Sequence, residues 1–413
     1  MLEKRWSFPA NGLSMEKIKE YMVPGKNYDC LDNGRVFLGY PQTTPHPIAI
    51  ETYKNYLEYN DNHVGTFSNN DADLNITRRM EKQFIEMLGD LYGDIEVDGY
   101  VTSGGTEGNI MGVWIGRNFL GGGTDNICLI KTYLTHQSID KACSLNNIKN
   151  IVEIPYNHNF EMDTNVLIKE IDFQIKSGRN RIIIVATVGY TMTGTSDSIA
   201  EIDRIIQDYS TNKDVSFYLH VDAAIGGLVY PFCNKEPFAF QYASVKSLTV
   251  DPHKMGYVPF SAGVFLCRRN LQDYVAIPIK YAKTVMDKTL VSSRSAAAAA
   301  TCWTTFNYLG ISGFEKRIRK LISMKEHLVE NLLAEKLAVL ISDPGTNMVC
   351  LHFDSLPEGL LPEWIEKKYT LDGFKLKYKE EMIVCYKAYI MPHVTKEAVL
   401  QFVGDIRLLV GKI

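Results

Sequence analysis

The spacing of apolar positions changes along the chain, and each change marks an element. Through "NITRRMEKQFIEMLGDLYG", Met80, Phe84, Ile85, Leu88 and Leu91 recur at helical spacing until Gly93 ends the run. Short β-rich runs then alternate with amphipathic stretches about a helix long. The runs are "GYVTS", "NICLI", "IVEIPY", "RIIIVATVG", "FYLHVDAA", "SLTVD" and "AGVFLC"; "DSIAEIDRIIQDYS" is typical of the stretches between. Strands alternating with helices predict an α/β unit, a mostly parallel sheet covered on both faces. The last ~120 residues follow another rhythm. The Ala296–Ala300 run and "TCWTTFNYLGISGFEKRIRKLISMKEHLVENLLAEK" read as helix, followed by "AVLIS", "MVCLHF", "YKAYIMP" and a closing helix. That order predicts a small C-terminal α+β domain. Residues 1–50 hold Pro9, Pro24, Pro41, Pro45 and Pro47 with little periodicity, and read as a short helix and an irregular arm. The expected units are an arm over 1–60, a large domain over 61–290 and a small domain over 291–413.

Composition narrows the class. Of the 413 residues, 46% are hydrophobic and 22% charged, ordinary for a soluble chain with a large core. The net charge of −4 gives no electrostatic footprint for nucleic acid. The N-terminus "MLEKRWSFPANGLSMEK" lacks the apolar core of a secretory signal, and no run of about 18 apolar residues suggests a membrane span. Cys30, Cys128, Cys143, Cys233, Cys267, Cys302, Cys350 and Cys385 are scattered, without a Cys-x-x-Cys. They read as reduced thiols of a cytoplasmic protein, with neither disulfides nor a metal site.

The chemistry-bearing residues fall just after expected strands, where open parallel sheets bind ligands. In "YVTSGGTEGNIMGVWIG" a strand ends in Ser103-Gly104-Gly105-Thr106 and a helix begins. Glycines and a helix N-terminus suit a phosphate; a tight turn without a ligand gives the same pattern. In "YLHVDAAIGG", Asp222 closes an apolar strand, either as partner for a protonated ring nitrogen or as a helix N-cap. In "SLTVDPHKMG", Lys254 follows Asp251 and His253, placed for Schiff-base chemistry or for a salt bridge to Asp251. His136, in "THQS", opens a helix after "NICLI" and is catalytic or structural. Pyridoxal 5′-phosphate needs all four: an anion site, a planar group over its ring, a carboxylate for its nitrogen and an amine for its aldehyde.

From about Gly39 onward the chain resembles the group II pyridoxal-phosphate amino-acid decarboxylases, through "SGGTEGN", "THQS", "HVDAA" and "DPHK" in that order. "LGYP", "NHVGT", "DKTLVSSRS" and "YIMPHVT" are similar to the short branch with bacterial histidine and plant serine decarboxylases. "VDPHKMG" is similar to archaeal tyrosine decarboxylases. The resemblance implies the aspartate-aminotransferase-like fold (type I). It implies that Lys254 forms the Schiff base and Asp222 pairs with the pyridinium nitrogen. His136 would stack on the ring opposite Ala224, with Thr191 close by. Gly105, Thr106 and His253 would hold the phosphate, joined by Ser292 and Ser293 from the other subunit of a homodimer whose active sites lie at the interface. Tyr281 matches the tyrosine that protonates the quinonoid carbon, acting alone or with His136 behind it. His63, in "NHVGT", is expected to line the substrate side-chain pocket.

Two departures stand out: Tyr190 occupies a place where the family usually has threonine, and "SRSAAAAA" replaces a glycine-containing pattern. The implied reaction is decarboxylation of an L-amino acid with a histidine-like or other polar or aromatic side chain to its amine and CO2. Another carbon–carbon lyase, an aminotransferase, a decarboxylating deaminase and a non-catalytic scaffold are the alternatives.

Overall fold

Each of the seven β-rich runs becomes a strand of one sheet: β1 (Val97–Thr102), β2 (Ile127–Thr132), β3 (Ile151–Ile154), β4 (Arg181–Thr187), β5 (Ser216–Asp222), β6 (Val245–Val250) and β7 (Gly263–Arg268). The computed structural model describes residues 14–21, 36–41, 43–64, 75–123, 125–211, 214–233, 236–280, 286–343, 345–378 and 381–411. The sheet order is β1-β7-β6-β5-β4-β2-β3. β7 runs antiparallel to β1 and β6, while the remaining neighbours are parallel.

The strands read as continuous apolar runs because helices cover both faces. Alternate residues of β4 feed different cores. Ile183 and Val185 pack with Met111, Ile115 and Ile139, from the helices Gly105–Phe119 and Ser138–Leu145. Ile182 and Ile184 pack with Phe84, Leu167 and Ile202, from the helices Ile76–Leu91, Thr164–Lys176 and Ile199–Ser210. These last three helices start on side-chain caps: Asn75, Asp163 and Ser198 accept backbone N–H bonds from their first turns.

A second, antiparallel sheet contains β8 (Val339–Ile341), β9 (Met348–His352), β10 (Gly373–Tyr378) and β11 (Glu381–Tyr389), ordered β8-β9-β11-β10. The periodicity missed β10, because Lys375 and Lys377 dilute a strand that buries only Leu376 fully. The helix Pro47–Tyr59 was also hidden in the proline-rich arm. Pro47 opens it, and His46 Nδ1 accepts the Ile48 N–H at 3.3 Å. It packs on the long helix Ala296–Ala334, which Gly310 interrupts at φ 59°. Among the described residues no helix is long and apolar enough to cross a membrane.

A ribbon ties distant segments together near the start of the large sheet. Asn62–Val64 pairs antiparallel with Ser293–Ser295, setting His63 opposite Arg294. Beneath it lies the fully buried Glu81. Its carboxylate takes His63 Nδ1 at 2.8 Å, the Val101 N–H at 2.8 Å and the Arg294 guanidinium. Burial alone would raise the Glu81 pKa, but Arg294 and His63 outweigh it and hold the carboxyl at about 2. Because this value lies below that of an unfolded glutamate, the stabilisation is present at neutral pH and fades as the pH falls toward about 2. Glu81→Ala is expected to lower the unfolding free energy by about 3–5 kcal/mol, since it removes the carboxylate from a buried ion pair with Arg294. Urea unfolding at neutral pH measures this, and an unchanged midpoint would show that the cluster contributes nothing.

Candidate active site

Strands β1, β2, β4, β5 and β6 deliver their carboxyl ends to one edge of the sheet, around a cleft of about 400 Å³. The turn after β1 supplies Ser103 to Thr106, and the loop after β2 supplies His136. β4 and β5 end side by side at Thr187 and Asp222, and the turn after β6 brings Asp251, His253 and Lys254.

The anion-binding end is built by close backbone approach. A Cβ on Gly105 would lie 2.9 Å from Asp251 Oδ2 and 3.2 Å from Ala224 Cβ, so only glycine lets this turn lie against the other two loops. The helix Gly105–Phe119 begins there without a side-chain cap, leaving its first N–H groups and positive dipole end for a ligand. Glu107 does not fill that role: its carboxylate accepts the Ser103 N–H at 2.8 Å and the Tyr100 hydroxyl at 3.0 Å.

Lys254 stands in the one-turn helix Pro252–Met255, its Nζ 3.0 Å from Asp251 Oδ2. Asp251 is buried and its Oδ1 has no hydrogen-bond partner. His253 stacks on Phe260 at 4.0 Å and accepts the Ala262 N–H on Nδ1, with Nε2 3.6 Å from Asp251 Oδ2; burial lowers its pKa. Asp222 accepts from the Ala224 N–H on Oδ1 at 3.1 Å and from Asn109 Nδ2 on Oδ2 at 2.7 Å. His136 is held through Nδ1 by Ser138, and burial lowers its pKa despite the nearby Asp222 carboxylate. An uncapped helix start, a lysine amine, a carboxylate at a strand end and a half-buried imidazole thus face one space. The cleft also holds an unpartnered carboxylate oxygen. This donor set fits pyridoxal phosphate, which carries an anion, an aldehyde and a basic ring nitrogen.

The family profile described as "Pyridoxal-dependent decarboxylase conserved domain" matches residues 126–354. The "Probable L-tyrosine/L-aspartate decarboxylase" of Methanosphaera stadtmanae is 30% identical over 389 residues, covering 92% of this chain and 93% of that protein. The chain belongs to the pyridoxal-dependent decarboxylase family. Among solved structures, L-methionine decarboxylase from Streptomyces sp. 590 superposes with a TM-score of 0.81 at 16% identity, covering 97% of this chain and 96% of the other. Sphingosine-1-phosphate lyase from Burkholderia pseudomallei gives 0.81 at 18% identity, covering 99% and 93%. These whole-chain superpositions correct the fold assigned from the sequence. The aspartate-aminotransferase-like type I assignment is replaced by the fold of the pyridoxal-dependent decarboxylases. Strand alternation and motif order point to the strand ends that line the cleft, and the path of the whole chain identifies the architecture.

In this decarboxylase-family chain the cleft brings together Gly105, Thr106, His136, Thr191, Asp222, Ala224, His253 and Lys254. It does not bring in His63. That ring is 1% exposed, with Nδ1 on Glu81 and Nε2 2.9 Å from Thr77 Oγ1, so the expected substrate-side role is corrected to a buried structural one. Ser292 and Ser293 lie outside this chain's own cleft, exposed and bonded to Asp287 and Asn62. Tyr281 lies outside the described residues. Tyr190 forms part of the cleft wall, but its hydroxyl turns away, donating to Asp197 Oδ2 at 2.7 Å and accepting from Thr132 at 2.8 Å. Burial raises the Asp197 carboxyl to about 6.

The sequence reading passed over Asn109, Ser138 and His220. A signal existed: His220 precedes Asp222 by two on a strand, so both side chains share one face, and Asn109 lies one helical turn beyond Gly105.

Proposed function

We propose that the protein decarboxylates a polar or aromatic L-amino acid to its amine and CO2, using pyridoxal phosphate. The single observation that carries this is the meeting of Lys254, Asp222, His136 and the uncapped Gly105–Phe119 helix in one cleft. When bound, pyridoxal phosphate supplies an aldehyde that condenses with amines and a pyridinium that accepts the electron pair left by CO2.

The chain's residues do the rest. Lys254 supplies the amine that holds the cofactor before substrate arrives. The N–H groups at the helix start, with Thr106 and His253, bind the phosphate. Asp222, 4% exposed and fixed by two donors, keeps a proton on the ring nitrogen by facing it with a negative charge. With the cofactor bound, His136 would cover one face of its ring and Ala224 the other, with Thr191 close by. Proton return to the substrate carbon is assigned to Tyr281, or to His136 acting through it. A homodimer in which Ser292 and Ser293 reach the neighbouring subunit's phosphate completes the proposal. So does the division into an arm (1–60), a large domain (61–290) and a small domain (291–413). Tyrosine and aspartate appear in the Methanosphaera relative's name, and histidine fits the short branch that the motifs resemble.

The test supplies pyridoxal phosphate and each amino acid in turn, with tyrosine, aspartate and histidine first, and measures CO2 and amine. At least one should give the two in equal amounts. A carbonyl product in place of amine, or no CO2 from any amino acid, would refute the reading.

A further inference from the structure

We propose that Asn109 is a positioning residue that joins Asp222 and His136 in one directional hydrogen-bond chain and fixes the His136 proton on Nε2. The inference rests on the reading above for the roles of those two groups.

Asn109 is 1% exposed. A carboxylate can only accept, so Asn109 must turn its NH2 toward Asp222 Oδ2, 2.7 Å away. The same nitrogen lies 2.8 Å from Ser138 Oγ, so each amide hydrogen has one acceptor. The amide oxygen then faces His220 Nε2 at 3.0 Å, and that nitrogen must carry a hydrogen. His220 Nδ1 is left to accept from the Ser247 hydroxyl at 2.8 Å. A neutral ring is what this requires, and burial lowers the His220 pKa to about 4. At the other end, Ser138 Oγ accepts from Asn109 and has its own hydrogen left to donate to His136 Nδ1 at 2.9 Å. The Ser138 N–H points at the same nitrogen from 3.3 Å. With two donors on Nδ1, the proton of neutral His136 belongs on Nε2.

The packing underneath is made for this contact. A Cβ on Gly108 would sit 2.6 Å from Thr249 Oγ1, and one on Gly112 would sit 2.4 Å from His220 Nδ1. Two bare helix positions therefore let the helix approach β5 and β6 closely enough for Asn109 to reach its three partners.

The experiment is nitrogen NMR of full-length protein with ring-labelled histidine, before and after loading with pyridoxal phosphate. His136 is assigned by the signal lost in His136→Gln. The wild type should show His136 as the Nε2–H tautomer. Ser138→Ala, which removes one oxygen atom, and Asn109→Ala should each shift the tautomer ratio toward Nδ1–H by about fivefold, the worth of one ordinary hydrogen bond. Asn109→Ala should also weaken pyridoxal phosphate binding by about fivefold in a fluorescence titration, because Asp222 loses a donor. A wild-type His136 carrying its proton on Nδ1 would overturn the proposal. So would a ratio that neither substitution moves. If Asn109→Ala does not fold, Ser138→Ala decides alone. The ring signal needs no turnover, so the expected tautomer shifts in a protein that makes no amine would sustain the coupling and sink only the decarboxylase reading.

Discussion

Lys254→Ala is expected to cut amine formation by about 10³-fold and to abolish covalent capture of pyridoxal phosphate, because it removes the one lysine amine that lines the cleft among the described residues. The backbone around it has its own supports. The Lys254 and Gly256 N–H groups bond to Asp251 and Pro252, and Met255 is buried in the core. Removing the side chain should therefore leave the turn folded. The change also leaves Asp251 without the ammonium 3.0 Å away, so a small change in stability is expected alongside the large one in chemistry. Borohydride reduction followed by peptide mass analysis reads the capture directly. The wild-type peptide containing Lys254 should carry the added cofactor mass and the variant none. A variant that still fixes the cofactor covalently, or turns over near the wild-type rate, would remove Lys254 from its assigned role.

Asp222→Ala should act on the reaction far more than on binding. The groups proposed to bind the phosphate come from the turn after β1 and from His253 after β6, and so from other elements than β5, which ends in Asp222. Cofactor affinity should therefore fall only about tenfold, the loss of one charge-assisted hydrogen bond. Turnover should drop about 10²- to 10³-fold, the usual cost of deleting a preorganised charge that stabilises a developing one. Asp222→Asn, which keeps the shape but loses the charge and one of the two acceptors that Ala224 and Asn109 use, should sit close to the alanine variant in turnover. Near-normal turnover in either, at saturating pyridoxal phosphate, would show that the carboxylate does not hold the ring nitrogen's proton. The fluorescence titration used for Asn109→Ala separates lost binding from lost chemistry.

Much of this site could be read from the chain because each motif sits at the end of a strand with an unmistakable apolar run. "RIIIVATVG" and "FYLHVDAA" are buried on both faces, so their ends are well marked, and Asp222 is conspicuous as a charge at the close of such a run. The misreadings have the opposite origin. His63 looked available for a substrate because nothing nearby in the sequence names Glu81 or Thr77 as its partners. The helix Pro47–Tyr59 was obscured by the prolines around it, although Pro47 is the residue that starts it.

The sequence by itself determined the seven strands, the residues at their ends and the cofactor those residues suit, because strand period and side-chain chemistry are local properties. Only the tertiary structure decided which of those ends meet, since sheet order places β5 beside β4 and β6 although helices and loops separate them in the chain. It alone buried His63 on Glu81, turned the Tyr190 hydroxyl toward Asp197 and brought Asn109 between Asp222 and Ser138. Such contacts join residues of different elements, 18 positions apart for His63 and Glu81 and 113 for Asn109 and Asp222, and no local pattern specifies them.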